Sequence, residues 1–229
     1  AEIEQVNKNP KASEYIPQQE KGIRPACVLP YELYINDNFD KDKKDVELNL
    51  KAGNTFFKNG EGAPFIVHAK NYGGKDFIER SYAVSVGDSL KDSWQVNDFK
   101  DAKYHLEAYG PNGFYRKFKG SNHDLFLNIF LGYEAGLSNT LTGNIVLNLR
   151  NNDDVEIAIE IIDNAYKTAL IKRQLNAKTK QTLVLDLSKS YGWYDISVKI
   201  AGNMFFEKRY AGHVETGKES KSDPAMGDV

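Results

Sequence analysis

The side chains that most often carry acid–base or nucleophilic chemistry are few and scattered in this sequence. The four histidines, at positions 68, 105, 123 and 213, lie far apart, and Cys27 is the only cysteine. Nucleophilic catalysis needs a nucleophile, a base and an orienting group that converge in space. No local motif such as G-x-S-x-G indicates that arrangement. We therefore assign no catalytic residue.

Metal-ligand spacing is also missing. No two histidines lie close enough in sequence for a zinc site. Asp40, Asp42 and Asp45 resemble calcium ligands, but the glycine and distal glutamate of an EF-hand loop are absent. Residues 37–45 (DNFDKDKKD) are therefore predicted to form a solvated charged loop. Residues 122–124 (NHD) are predicted to make a polar contact between the two domains that are described below. We expect neither a metal nor a cofactor in this chain.

Aromatic rings raise a binding hypothesis, because exposed rings stack on sugars or lie at a membrane interface. Strand periodicity places most of these rings in cores first. The rings in question are Tyr72, Trp94, Phe114, Tyr115 and Trp193. We predict a lipid or partner contact surface at Phe114, Tyr115 and Arg116, because these residues follow a tight turn.

That turn is part of a hairpin that occurs twice. Gly110–Gly120 (GPNGFYRKFKG) opens with turn residues and continues into strand-forming aromatics. Trp193–Ile200, a turn, and Met204–Tyr210 repeat the pattern. Gly120 and Gly212 close the two copies, 92 positions apart. This period is too long for a solenoid and indicates two tandem domains.

The rest of the chain favours strands over helices. Short alternating segments recur with turn residues every 8–12 positions, which is typical of β-sandwiches. We predict an all-β protein with two tandem immunoglobulin-like antiparallel β-sandwich domains. Residues 1–22 are predicted to be an extended linker, 23–121 the first repeat, and 122–229 the second repeat with an extended C-terminal tail.

Tyr104 and Tyr194 each stand at the start of the penultimate predicted strand of a unit. A tyrosine corner occupies that place in immunoglobulin-like domains, where its hydroxyl bonds to nearby backbone. We predict this structural role for both residues. An ordinary half-buried tyrosine is the alternative.

Composition excludes several classes of function. The formal net charge is −2, from 30 basic and 32 acidic residues, so the chain has no excess of positive charge with which to bind nucleic acid. No apolar run is long enough to be a transmembrane segment. A single cysteine excludes an internal disulfide. The polar start is unlike a signal peptide, which indicates either a cytoplasmic protein or an internal piece of a longer chain, and we expect the second.

Five stretches in order resemble a known family. They are Tyr15–Leu33 (YIPQQEKGIRPACVLPYEL), Gly110–Gly120, Asp163–Tyr166 (DNAY), Gly192–Val198 (GWYDISV) and Ala211–Gly227 (AGHVETGKESKSDPAMG). Together they resemble the C-terminal part of bacterial phosphocholine-specific phospholipases C of the non-haemolytic type. The resemblance extends from about Tyr15 to the end of the chain.

The resemblance implies a role beside a catalytic domain. In that family a catalytic domain related to acid phosphatases precedes two small all-β domains, and the enzymes are exported. It implies a non-catalytic C-terminal region of a secreted or periplasmic phospholipase C acting on phosphatidylcholine-type lipids. The partners it implies are the upstream catalytic domain and a phospholipid surface. A carbohydrate-binding module and a purely structural spacer are the alternatives.

Overall fold

A computed structural model of the chain describes residues 2–13, 22–40, 42 and 44–226. It confirms the predicted all-β class, because the described residues form antiparallel sheets. Residues 14–21 of the predicted linker and 227–229 of the predicted tail lie outside the described residues. The described part of the linker contains a helix that we did not expect, α1 (Glu2–Lys8), in which Glu4 and Lys8 are residue types that favour helix.

The strands alternate buried and exposed positions, as the period-2 pattern in the sequence requires. In chain order they are β1 (Pro25–Ala26), β2 (Leu33–Asp40), β3 (Asp45–Ala52), β4 (Ala63–Tyr72), β5 (Lys75–Val84), β6 (Ser89–Gln95), β7 (Lys103–Tyr109), β8 (Tyr115–Ser121), β9 (Leu127–Ala135), β10 (Leu141–Asn151), β11 (Ile157–Asp163), β12 (Ile171–Leu175), β13 (Lys180–Leu185), β14 (Trp193–Ile200), β15 (Glu207–His213) and β16 (Ser220–Lys221).

Strand order is the same in the two parts of the chain, which we call the first half (β2–β8) and the second half (β9–β15). The first half forms a three-stranded sheet, β2-β3-β6, and the four-stranded array β8-β7-β4-β5. The second half forms β9-β10-β13 and β15-β14-β11-β12. Buried apolar side chains of these strands form one continuous core, against which the partly buried Leu183 and Leu185 of β13 pack.

The two four-stranded arrays join into a single eight-stranded sheet. β8 and β15, the last strands of the two halves, pair antiparallel from Glu207 opposite Lys119 to Ala211 opposite Tyr115. Because the pairing continues the hydrogen-bond ladder, neither half has a free sheet edge at this place. The halves are therefore joined by backbone hydrogen bonds as well as by the chain.

A buried cation crosses this junction from the second half. Lys208 on β15 donates hydrogen bonds to the carboxylate of Asp37 on β2 and, at 2.7 Å, to the hydroxyl of Tyr104 on β7. The side chains of Lys208 and Asp37 are only 3% and 6% exposed. Burial alone would lower the pKa of Lys208, but the charge of Asp37 raises it above its usual value. The Asp37 side chain is therefore buried. The prediction of a charged loop over residues 37–45 is wrong for residues 37–40, because β2 continues to Asp40.

A second cation crosses in the opposite direction. Arg116 on β8 is 1% exposed. It donates to the carbonyl of Ala211 on β15 at 2.8 Å and to the hydroxyl of Tyr194 on β14 at 3.0 Å. Each half thus places a cation against the penultimate-strand tyrosine of the other. The predicted tyrosine corners are buried, but the hydrogen bonds of the Tyr104 and Tyr194 hydroxyls go to these cations instead of to nearby backbone.

The two repeated glycines make room for these tyrosines. Gly120 lies opposite Tyr104 in the β7–β8 ladder, and Gly212 lies opposite Tyr194 in the β14–β15 ladder. A Cβ on Gly120 would collide with the Tyr104 hydroxyl, and one on Gly212 would lie 3.1 Å from that of Tyr194. The closing glycines of the repeat therefore have a packing role.

Replacing Lys208 with Met would leave Asp37 as a buried carboxylate without a cation. We expect Lys208→Met to lower the free energy of unfolding by about 3–5 kcal/mol, because a buried charge that loses its partner is strongly destabilising. Urea-induced unfolding measures this change. The double variant Lys208→Met/Asp37→Leu should recover most of the loss, since it buries no charge. A loss under about 1 kcal/mol in the single variant would show that the pair does not stabilise the junction.

Candidate contact face on the eight-stranded sheet

The structure separates the three residues predicted to form a contact surface. Phe114 is 5% exposed and packs on Phe65, with ring centroids 5.8 Å apart. The guanidinium of Arg116 lies 3.9 Å from the centroid of the Phe114 ring. The strand that follows the turn alternates, so Arg116 and Phe118 point inward while Tyr115 lies on the outer face. The prediction of an exposed surface is therefore wrong for Phe114 and Arg116, which are buried.

Tyr115 instead belongs to a group of four rings and one isoleucine on the outer face of the eight-stranded sheet. We call this group the aromatic corner, and it consists of Ile66, His68, Phe77, Tyr109 and Tyr115. Ile66 lies opposite Tyr109, and Tyr109 opposite Tyr115, in the strand register. The His68 ring lies 4.6 Å from Phe77 and 5.0 Å from Tyr109. Ile66, Phe77 and Tyr109 are 39%, 49% and 38% exposed.

The carboxylate of Glu107, which lies beside the aromatic corner, fixes the orientation of Tyr109. Glu107 accepts hydrogen bonds from Lys70 at 2.8 Å and from the Tyr109 hydroxyl at 2.9 Å, and a ring nitrogen of His105 lies 2.9 Å away. Burial alone would raise the pKa of Glu107, but these three hydrogen bonds outweigh it and lower the pKa to about 2. Burial and the Glu107 hydrogen bond raise the pKa of Tyr109 to about 12, so its hydroxyl stays a donor.

The other rings singled out in the sequence are not free to bind a flat ligand. Trp94 is fully buried, with the Arg80 guanidinium 3.7 Å from its ring centroid. Tyr72 packs edge-on against Trp94 at 5.1 Å. Trp193 is half-buried against His213, with centroids 4.7 Å apart. These rings therefore do not form the exposed platform that the carbohydrate-binding alternative requires.

Two exposed rings, those of Phe77 and Tyr109, were not predicted as contact residues from the sequence. Phe77 lies on β5, an edge strand of the eight-stranded sheet whose side chains are mostly exposed. Tyr109 follows buried Ala108 at the end of β7, so simple alternation places it outward. Alternation could have identified Tyr109. Phe77 required knowledge of which strand forms the edge.

One hydrogen-bonded chain resembles a Ser–His–Glu triad in its connectivity. His213 Nδ1 lies 3.0 Å from Glu215, and Nε2 lies 3.0 Å from Ser220 Oγ. The same Nε2 also lies 3.0 Å from the carbonyl oxygen of Tyr191, which can only accept a hydrogen bond. A nitrogen that donates to a carbonyl cannot take a proton from serine. The arrangement instead connects β15 with the C-terminal segment, and Glu215 also accepts from Asn112 at 2.8 Å.

The acidic groups form contacts within the fold. Among the described residues no three His, Cys, Asp or Glu side chains are placed to share a metal ion. Asp124 accepts from the Ser121 backbone at 2.6 Å and from Asn203 of the second hairpin turn at 2.8 Å. Asp124 therefore makes the polar contact predicted for residues 122–124. Within the described part of the chain, no helix has the length and apolarity needed to cross a membrane.

The lowered pKa of Glu107 gives a pH-dependent prediction. The pKa in the folded chain is about 2 and the usual value is 4.5, so the ionised carboxylate stabilises the fold above about pH 4.5. This contribution is lost as the pH falls from 4.5 towards 2. We expect Glu107→Gln to be about 1–3 kcal/mol less stable than wild type at pH 7, since it loses charge-assisted hydrogen bonds, and the difference to shrink below pH 4.5.

Urea unfolding at several pH values measures this difference. The control is Glu79→Gln, because Glu79 is half-exposed and forms its ion pair with His68 at the surface, so its removal should change stability little. A Glu107→Gln difference that stays constant from pH 7 to pH 3 would contradict the assignment.

Comparison with known proteins places this fold in a family. The family described as bacterial phospholipase C, C-terminal domain, matches residues 25–121 and again residues 127–213. A non-hemolytic phospholipase C of Burkholderia pseudomallei is 35% identical over 225 residues, which cover 95% of this chain and 30% of that protein.

Two proteins of Pseudomonas aeruginosa are similar to the same extent. A hemolytic phospholipase C is 33% identical, over 92% of this chain and 30% of its own length, and a non-hemolytic phospholipase C is 32% identical, over 99% and 32%. The chain thus spans about 30% of the length of these relatives. It belongs to the family of bacterial phospholipase C C-terminal domains.

Proposed function

We propose that this chain is the non-catalytic C-terminal region of a secreted or periplasmic phospholipase C that acts on phosphatidylcholine-type lipids. The relatives are phospholipases C, and this chain matches about 30% of their length. A catalytic domain of the same protein, outside this stretch, is then its main partner. Catalytic residues, metals and cofactors of the enzyme belong to that domain.

The chain is organised, in this proposal, as two immunoglobulin-like repeats. The identical strand order of the two halves supports it, as do the two separate matches to the family. Three strands facing four, with hairpin connections, is compatible with that architecture. The boundary falls between β8, which ends at Ser121, and β9, which begins at Leu127.

The aromatic corner is the observation that carries the proposed lipid contact. Phe77, Tyr109 and Ile66 expose apolar surface on one corner of an otherwise charged sheet face. Tyrosine and phenylalanine rings at this exposure suit a bilayer interface, where one part of the ring is apolar and the other is wet. A choline ammonium is attracted to an aromatic face. The exposed corner favours a lipid contact over a purely structural role beside the catalytic domain.

Co-sedimentation with phosphatidylcholine vesicles tests this contact. Wild type should sediment, and the double variant Ile66→Ala/Phe77→Ala should bind at least tenfold more weakly, because each lost apolar side chain removes about 1 kcal/mol of burial. Val184→Ala in the second half is the control, since Val184 is 50% exposed and lies outside the corner.

The same samples test the non-catalytic role. We expect the isolated chain to release no phosphocholine from the vesicles. Release would contradict the non-catalytic assignment. Equal sedimentation of the two variants, or none by wild type, would contradict the lipid contact and favour a structural role.

A further inference from the structure

A second surface lies on the opposite layer, where the two three-stranded sheets meet. β2 and β9 run side by side there, and Asn128 of β9 donates to Asn38 of β2 at 3.4 Å. The Tyr34 ring of β2 stacks near the Phe130 ring of β9, with centroids 6.3 Å apart. Between these strands and β13 lies a cleft of about 410 Å³. Its polar lining includes the amides of Asn36 and Asn148, the cations of Arg150 and Lys180, and the carboxylate of Asp37, which forms an ion pair with Lys208.

Amide groups in the cleft are arranged to bind hydroxyl groups. Thr182 donates to the amide oxygen of Asn148 at 2.9 Å, and the Asn148 amino group has no acceptor among the residues that the structure describes. The amide oxygen of Asn36 is buried and has no hydrogen-bond partner in the described part of the chain. Buried polar atoms without partners are rare in native proteins. The cleft therefore offers a donor and an acceptor to a ligand.

Two cations without acidic partners stand at one end of the cleft. Arg150 and Lys180 are direct cross-strand neighbours on β10 and β13, and both are exposed. No ion pair joins either of them to an acid among the residues that the structure describes. Like charges directly opposite each other destabilise a sheet. An anion bound between them would remove that repulsion.

The corresponding sheet of the first half is already neutralised. Lys91 on β6 makes an ion pair with Glu47 on β3 at 2.8 Å. Lys51 lies over the Tyr34 ring at 5.7 Å. The unpaired cations and the exposed Phe130 ring are therefore features of the second half, whereas the amide groups come from both halves, Asn36 from β2 and Asn148 from β10.

We propose that this cleft binds an acidic saccharide. Its anionic group lies between Arg150 and Lys180, and its hydroxyls bond to Asn148 and Asn36. Phe130, 44% exposed at the edge of the cleft, contacts the apolar face of a sugar ring. The rings that the sequence suggested for sugar binding take no part. The proposal is independent of the aromatic corner, which lies on the outer face of the other layer.

Isothermal titration of the full chain with a uronic-acid tetrasaccharide tests the proposal. Wild type should bind it, and the variants Asn148→Ala and Arg150→Gln/Lys180→Gln should each weaken binding at least tenfold. Lys91→Gln is the matched control, since it removes an exposed lysine from the equivalent sheet of the first half and should leave binding unchanged.

Four results would overturn the proposal. Inorganic phosphate binding as tightly as the tetrasaccharide would make this an anion site without sugar recognition. A neutral tetrasaccharide binding equally well would remove the role of the cations. No binding by wild type, or equal loss in Lys91→Gln, would remove the site itself. Vesicle sedimentation of Arg150→Gln/Lys180→Gln should match wild type, which keeps this test separate from the lipid contact.

Discussion

The structure depends on two buried cations that cross between its halves in opposite directions. Lys208 of the second half reaches Asp37 and Tyr104 of the first, and Arg116 of the first reaches Tyr194 of the second. Each cation is desolvated, so it persists only because its hydrogen-bond partners are in place. The β8–β15 ladder fixes both at once, since the two cations lie on its paired strands.

This junction determines which faces remain available. Because β8 and β15 pair edge to edge, the outer face of the combined sheet is continuous, and the aromatic corner lies on its first-half side. The same junction brings β2 beside β9 on the other layer, which forms the cleft around Asn36 and Asn148. The two proposed contacts therefore face away from each other, and neither needs the other in order to form.

Local patterns in the sequence predicted much of this fold. Alternation identified the strands, and the repeated Tyr104–Gly120 and Tyr194–Gly212 pairs follow from two similar hairpins. The cations could not be found in this way. Lys208 and Tyr104 are 104 positions apart, and a charged residue between aromatics in a strand suggests exposure. For the same reason Arg116 was predicted at the surface and Asp37 in a loop, although pairing across the junction buries both.

The most direct test of whether the two halves form one cooperative folding unit is to compare their urea-unfolding transitions. The chain has two tryptophans, and in Trp193→Phe the remaining Trp94 reports on the first half, while far-UV circular dichroism reports on both. If the crossing cations and the β8–β15 ladder join the halves, urea should unfold both signals in one coincident transition. A second circular-dichroism transition that Trp94 fluorescence does not follow would show that the halves unfold independently, and would contradict this account.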